Sequence, residues 1–155
     1  FIEWGSRQDS RAGLGESDAA SMARAANALA KDPEVRAVSV FTMQGRSAWL
    51  MSKARPVKQI LAFTPEPATY NQLAFLWGVQ PHLAKYAVTL DDMLSGVDAA
   101  LLKSGIQPGQ QVVLICGYPI GEMRPPNMAL LHTVGSEATV KLARKLAENN
   151  VKKEN

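Results

Sequence analysis

Residues 40–56, VFTMQGRSAWLMSKARP, restrict the fold more than any other part of this chain. An apolar run, Val35 to Phe41, stops at a polar turn, Thr42-Met43-Gln44-Gly45-Arg46-Ser47, and an amphipathic stretch follows at once. A strand that feeds a helix through so short a turn is half of a βαβ unit, and such units build parallel sheets. The turn falls where the first backbone N–H groups of a helix lack partners and the positive end of its dipole lies. Thr42, Gln44, Arg46 and Ser47 add side-chain donors, and Arg46 adds a charge. Two readings stand side by side. One is an ordinary strand-to-helix connection, in which polar residues and a glycine are expected. The other is a socket for a phosphate or another anion. Gly45 serves the geometry of the turn, by φ > 0 or by a close backbone approach.

The rest of the chain continues the alternation. Ser17 reads as an N-cap with Asp18 in the first turn, and Ala19, Met22, Ala23, Ala26, Leu29 and Ala30 then recur on one helical face, up to Asp32-Pro33. After the 46–54 helix, Ile60 to Phe63 is a short apolar strand, residues 66–77 read as a helix stopped by Gly78, and Lys85 to Val88 reads as a third strand. Thr89-Leu90-Asp91-Asp92 is a capping box that opens a helix to Ser104, with Gly105 as its stop. Val112 to Cys116 has central-strand character, and GYPIGEMRPP (117–126) holds too many Pro and Gly for regular structure. Met128 to Val134 is a last strand, and Glu137 to about Asn149 a last helix.

This order predicts a three-layer α/β/α domain with a five-stranded, mostly parallel mixed sheet. The last connection has no crossover helix, so the last strand is expected antiparallel and at an edge. Ligands of such sheets gather at the carboxyl ends of the strands, which brings the 42–47 turn and the 117–126 loop to one rim. Residues 1–15 read as a linker or extension, 16–136 as the domain, and 137–155 as a helix and basic tail.

Composition removes several classes of function. The 155 residues are 46% hydrophobic and 20% charged, as in ordinary globular proteins. No run of 18 apolar residues offers a membrane span. The start, FIEWGSRQDSR, lacks the order of a signal peptide, and without an initiator Met it reads as a processed chain or a fragment. The net charge of +3 resides in the tail: residues 1–140 hold twelve basic and twelve acidic residues, the last fifteen five and two. No nucleic-acid face is therefore expected on the domain. The single Cys116 lies in VVLICG and reads as a core residue, and it points weakly to a reducing, cytoplasmic setting. His82 and His132 have no partners at metal spacing, Ser47 and Ser52 have no His–Asp partners, and no G-x-x-x-x-G-K-S/T stretch exists. His132 is expected to be a satisfied structural histidine.

FTMQGRSAWLMSKARP (41–56), ILAFTP (60–65), QLAFLWGVQP (72–81) and GQQVVLICGYPIG…N…HTVG (109–135) together resemble, in order and spacing, the C-terminal domain of pyruvate kinase. The resemblance implies a five-stranded mixed sheet whose last strand is antiparallel. It implies a regulatory and assembly domain without an active site, one that binds a phosphorylated effector such as a sugar phosphate and takes part in subunit contacts. The catalytic residues, Mg²⁺ and K⁺ belong to that family's barrel domain, which this sequence lacks, so no cofactor is expected here. The family's phosphate turn resembles T-x-S-G-R-S/T, which carries over Thr42, Gly45, Arg46 and Ser47. Met43 and Gln44 depart from it, and a hydroxyl is lost at Gln44. Asp91, Asp92 and Met93 stand where some members place a basic contact, which argues against a bisphosphate there. The effector loop, Gly-rich in many members, reads Glu122-Met123-Arg124-Pro125-Pro126-Asn127, where Arg124 can reach an anion and two prolines remove donors. The resemblance also implies a homo-oligomer or a barrel-domain partner.

Weaker candidates have bland alternatives beside them. Tyr118 lies against a ligand ring or simply packs. Arg46 contacts an anion or forms a surface ion pair. Trp77 reads as a core or interface anchor, Trp49 as buried or facing a partner domain, and Trp4 as a linker contact. Two other functions stay open: a small phosphometabolite-binding protein or enzyme on this fold, using Asp91, Asp92, Glu122 and Arg124, and a purely structural dimerisation domain.

Overall fold

The computed structural model describes residues 14–122 and 124–136, with residues 141, 144, 145, 148, 149 and 151–153. Most of the expected linker, and the expected start of the C-terminal helix, lie outside the described residues. Those described beyond 140 are helical and exposed.

The elements run α1 (Leu14–Leu29), β1 (Val35–Phe41), α2 (Arg46–Ala54), β2 (Ile60–Thr64), α3 (Pro67–Leu73), β3 (Val79–Leu83), α4 (Leu90–Lys103), β4 (Gln111–Cys116) and β5 (Met128–Thr133). They form one five-stranded sheet in the order β3-β2-β1-β4-β5. β1 is parallel to both β2 and β4, β2 is parallel to β3, and β5 alone is antiparallel, paired with β4. The expected three-layer architecture with an antiparallel last strand is the one observed.

Both sheet faces are covered. On one, Val38, Val40, Ile60, Ala62, Val113 and Ile115 pack against Ala23, Ala26 and Ala30 of α1, Ala48 and Met51 of α2, and Leu73 of α3. The small residues of α1 let that helix approach closely, and Asn27 Nδ2 ties it to the end of α2 by donating to the Ala54 carbonyl, 3.0 Å away. On the other face, Phe41, Leu61, Phe63, Val112 and Leu114 pack against Met93, Val97 and Leu101 of α4. A β-bulge between Val35 and Val38 adjusts the register of β1 against β4. The Thr89 cap holds as expected, its Oγ1 accepting from the Asp92 amide at 3.1 Å.

Three expectations need correction. α1 is already under way at Leu14, so Ser17 lies within the helix rather than at its cap. α3 ends at Leu73, because the Phe75 and Leu76 amides bond to carbonyls three residues back and tighten the chain into turns that close at Gly78, φ +68°. The third strand is Val79–Leu83, directly after that glycine, and not Lys85 to Val88. Pro81 concealed it: proline is tolerated here because β3 is an edge strand, hydrogen-bonded to β2 alone.

A buried polar pin joins α4 to the end of β5. Asp98 Oδ1 lies 2.6 Å from His132 Nε2, and Asp98 Oδ2 accepts from the Gly135 amide at 2.8 Å. Both side chains are less than a tenth exposed. His132 is thus the satisfied structural histidine expected, and its partner is an aspartate 34 positions away.

Asp98→Ala leaves the imidazole and an amide without partners, and is expected to cost about 3 kcal/mol in urea unfolding. A loss below about 1 kcal/mol would show that the pin contributes little. Cys116 is fully buried, and burial pushes its thiol up to about 12. The native protein is therefore expected to resist thiol reagents at pH 8. Between about pH 9 and 12 the unfolded chain loses this proton while the folded one keeps it. Stability accordingly falls as pH rises through that window, and a Cys116→Ala variant lacks this part of the decline in melting temperature. An equal decline in both proteins would contradict the burial.

Candidate functional site

The 42–47 turn is held from three sides. The Thr42 amide donates to the Phe63 carbonyl, continuing the β1–β2 ladder one residue past β1. Thr42 Oγ1 accepts from the Gly45 amide at 2.9 Å, and Thr69 Oγ1 of α3 donates to the Met43 carbonyl at 2.8 Å. Gly45 has φ +87° and caps α2, which no side chain caps among the described residues. A Cβ at Gly45 would meet only ordinary contacts, the nearest Thr69 Cγ2 at 3.5 Å. The glycine is needed for its left-handed conformation and not for space. Thr42 and Ser47 are buried, whereas Gln44 and Arg46 are exposed.

The β4–β5 loop is fixed by a different device. A Cβ on Gly117 would stand 2.3 Å from the Arg124 carbonyl oxygen, so only glycine lets the two ends of the loop pass each other. Asn127 clamps Tyr118 through both backbone groups: its Oδ1 accepts from the Tyr118 amide and its Nδ2 donates to the Tyr118 carbonyl, each at 2.7 Å. The Tyr118–Pro119 peptide is cis.

Turn and loop enclose one cavity of about 120 Å³ at the carboxyl ends of β1 and β4, and it is the shared rim that the topology predicts. Thr42, Gln44, Arg46 and Ser47 line it from the turn, and Arg124 lines it from the loop. Two of the candidate residues stand elsewhere. Gly45 is outside the lining, its amide already engaged by Thr42. The Tyr118 ring, half-exposed, is also outside it, and what the residue contributes is the backbone that Asn127 holds. Conversely, Phe41, Met43, Gly117, Ile120, Pro125 and Pro126 join the lining. The density of Gly and Pro in residues 117–126, and the resemblance of residues 122–127 to an effector loop, were the sequence signals for the loop members.

Charge in the cavity is mixed. Arg46 and Arg124 supply two cations, and Glu122 also lines the wall. Arg124 Nε donates to Glu122 Oε2 at 2.8 Å, with both side chains more than half exposed. The acidic pair Asp91-Asp92, at the start of α4, is not part of the lining, and Met93 is buried in the core. Of the four groups considered for acid–base chemistry, only Glu122 and Arg124 meet in the cavity, and they meet each other.

Elsewhere, His82 stacks on Phe63 with ring centroids 5.2 Å apart, and burial lowers its pKa, which favours the neutral ring. Among the described residues, no group of three or more His, Cys, Asp or Glu gathers as a metal site would require, and no helix is long and apolar enough to cross a membrane. Trp49 and Trp77 are half-exposed, covered in part by the Lys53 ammonium at 4.5 Å and the Arg55 guanidinium at 4.1 Å.

Sequence comparison agrees with this geometry. Residues 20–132 match the family described as pyruvate kinase, alpha/beta domain. The pyruvate kinase of Staphylococcus haemolyticus (strain JCSC1435) is 38% identical over 104 residues, which is 66% of this chain and 18% of that protein. The pyruvate kinase of Staphylococcus aureus (strain USA300) is 35% identical over the same length and shares of each chain. The chain thus spans about a fifth of the curated relatives it matches. With the family model matched over residues 20–132, and with the five-stranded mixed sheet and antiparallel last strand that the resemblance implies, this chain belongs to the pyruvate kinase alpha/beta domain family.

Proposed function

We propose that this domain is a regulatory and assembly module that binds a phosphorylated small-molecule effector, a sugar phosphate or nucleoside monophosphate, in the cavity between the 42–47 turn and the 117–126 loop. The observation that carries the reading is the meeting of two cations, Arg46 and Arg124, with the N-terminus of α2 around one cavity. A helix start favours an anion through its dipole and its unpaired amides, and Ser47 adds a hydroxyl at the wall. No phosphotransferase chemistry is assigned to this cavity: among the described residues that line it the one acid, Glu122, is paired with Arg124.

The assembly half of the reading rests on an apolar flank next to α2. Phe75 is 92% exposed, and Trp77 and Trp49 stand half out of the surface, more than a domain functioning alone needs to show. The partner is a second copy or the catalytic barrel of the same polypeptide. Phe75→Asp is expected to lower the sedimentation coefficient of the assembled protein, and an unchanged coefficient would remove this face from the assembly.

The anion reading is tested by thermal shift against sugar mono- and bisphosphates, AMP, ATP, phosphoenolpyruvate and inorganic phosphate at millimolar concentration. A selective, saturable rise in melting temperature is expected with one phosphorylated class. Arg46→Ala is expected to weaken that binding about tenfold while leaving the melting temperature of the free protein nearly unchanged. Gly45→Val is expected to lower both, with a stability loss of about 1–2 kcal/mol from forcing a β-branched residue to positive φ. No shift with any of these ligands would assign the domain a structural role alone.

A further inference from the structure

The flank that leaves Phe75, Trp49 and Trp77 in solvent also has a charge of one sign. Residues 35–65 contain Arg36, Arg46, Lys53, Arg55 and Lys58 and no acid, and residues 67–90 contain Lys85 and no acid. The acid between these segments, Glu66, stands at the other end of α3, where it accepts from the Tyr86 hydroxyl. Lys53 and Arg55 lie over the rings of Trp49 and Trp77, at 4.5 and 4.1 Å from their centres. Ser52 Oγ donates to the Trp77 carbonyl at 2.8 Å, which joins α2 to the turns after α3 in one continuous surface. A groove of about 430 Å³ opens on it between Trp49 and Leu76, and another of about 390 Å³ lies beside Val57, Lys58 and Trp77. Arg55 ends α2 at φ +51° and is, among the described residues, the one non-glycine residue at positive φ. Glycine is the usual occupant of such a position, and what arginine adds there is the guanidinium over Trp77.

Charge and shape together select the partner. A second copy presenting this same face would bring like charges into contact, which opposes association. A single-stranded nucleic acid stacks its bases on open rings, and here Lys53 and Arg55 already lie on them. A lipid surface takes up a helix through its apolar side, and that side of α2 is buried in the core through Ala48 and Met51. An acidic protein segment meets none of these obstacles. One apolar side chain fills the groove between Trp49 and Leu76, while carboxylates on either side of it pair with Lys53, Arg55 and Lys58. We infer that the flank formed by α2 and the turns after α3 is a docking face for an acidic protein segment, an apolar anchor between carboxylates. The inference rests on the assembly reading of this face and goes beyond it by naming the chemistry of the partner.

The test is fluorescence anisotropy of the full chain with three labelled peptides, DEDLFDED, KRKLFKRK and DEDGSDED. The first is expected to bind about tenfold or more tightly than either of the others, and to weaken as salt rises from about 50 to about 300 mM. Arg55→Gly is expected to weaken its binding about fivefold while leaving the melting temperature nearly unchanged, because glycine accepts the positive φ. Lys53→Gln with Lys58→Gln is expected to add to that loss. Equal binding of the acidic and basic peptides, binding by Arg55→Gly as tight as wild type, or no binding of any peptide overturns the inference. Tighter binding to oligothymidylate, or to vesicles of phosphatidylcholine and phosphatidylserine, overturns it in favour of another class of partner. Sedimentation separates this failure from that of the assembly reading. A coefficient lowered by Phe75→Asp and untouched by Arg55→Gly leaves the face in the assembly with a partner of other chemistry, whereas a coefficient unchanged by Phe75→Asp removes both.

Discussion

The handedness of β-α-β crossovers decides where this domain has its crevice. β1 lies at the centre of the sheet, and the chain leaves it in one direction through α2 to β2 and α3 to β3. It then returns past its starting point, through α4, to place β4 on the other side of β1. Right-handed crossovers running in opposite directions put their helices on opposite faces, so α2 and α3 pack in one core and α4 in the other. Between β1 and β4 the connections therefore part, and their carboxyl ends are left with a crevice that no helix fills. The 42–47 turn and the β4–β5 loop are the segments leaving those two ends, which is why they share a cavity despite being some seventy residues apart in sequence.

Within that crevice, shape is fixed by groups that do not offer themselves to a ligand. Thr42 uses its hydroxyl on the Gly45 amide, Thr69 reaches across from α3 to the Met43 carbonyl, and Gly117 lets the loop pass within a distance that a methyl group would forbid. Asn127 completes the loop by taking the place of a neighbouring strand for Tyr118. Each of these is a short-range, uncharged constraint. At the opposite end of the β4–β5 hairpin, the Asp98–His132–Gly135 pin holds the last strand to α4, so the hairpin is anchored away from the cavity and its loop is anchored beside it.

Much of this was legible in the sequence because burial leaves a periodic signature. The apolar runs of β1, β2 and β4 are strands buried on both faces, and the Thr89 cap and the glycine stops mark helix ends with side-chain chemistry that acts locally. β3 was hidden because an edge strand has no such signature: Gln80, Pro81 and His82 are tolerated only where one side lacks a neighbour. The turns after Leu73 read as helix because bonds three residues back leave much the same spacing of apolar residues as bonds four back. That Thr42, Gln44, Arg46, Ser47 and Arg124 line one cavity followed from local chemistry and topology. The counter-charge at Glu122, the outward Tyr118 and the engaged amide of Gly45 did not. They depend on how a ten-residue loop doubles back on Gly117, and that is set by contacts between residues with no periodicity to reveal them.

The division between framework and recognition has a consequence for how such a domain changes its ligand. Thr42 and Ser47 are buried, Gly117 is hemmed in by the Arg124 carbonyl, and a substitution at any of the three is felt first in stability. Gln44, Arg46, Glu122 and Arg124 are exposed on the cavity rim, where exchanging one side chain for another costs the fold little. The rim can therefore vary while the sheet, the crossovers and the crevice stay the same. In this chain the rim carries an acid beside a base on the loop, with two prolines after them, and Arg46 and Ser47 on the turn side. Fold alone does not set the ligand of such a domain. The crevice position follows from topology, and the chemistry of the ligand follows from a few exposed charges that topology does not constrain.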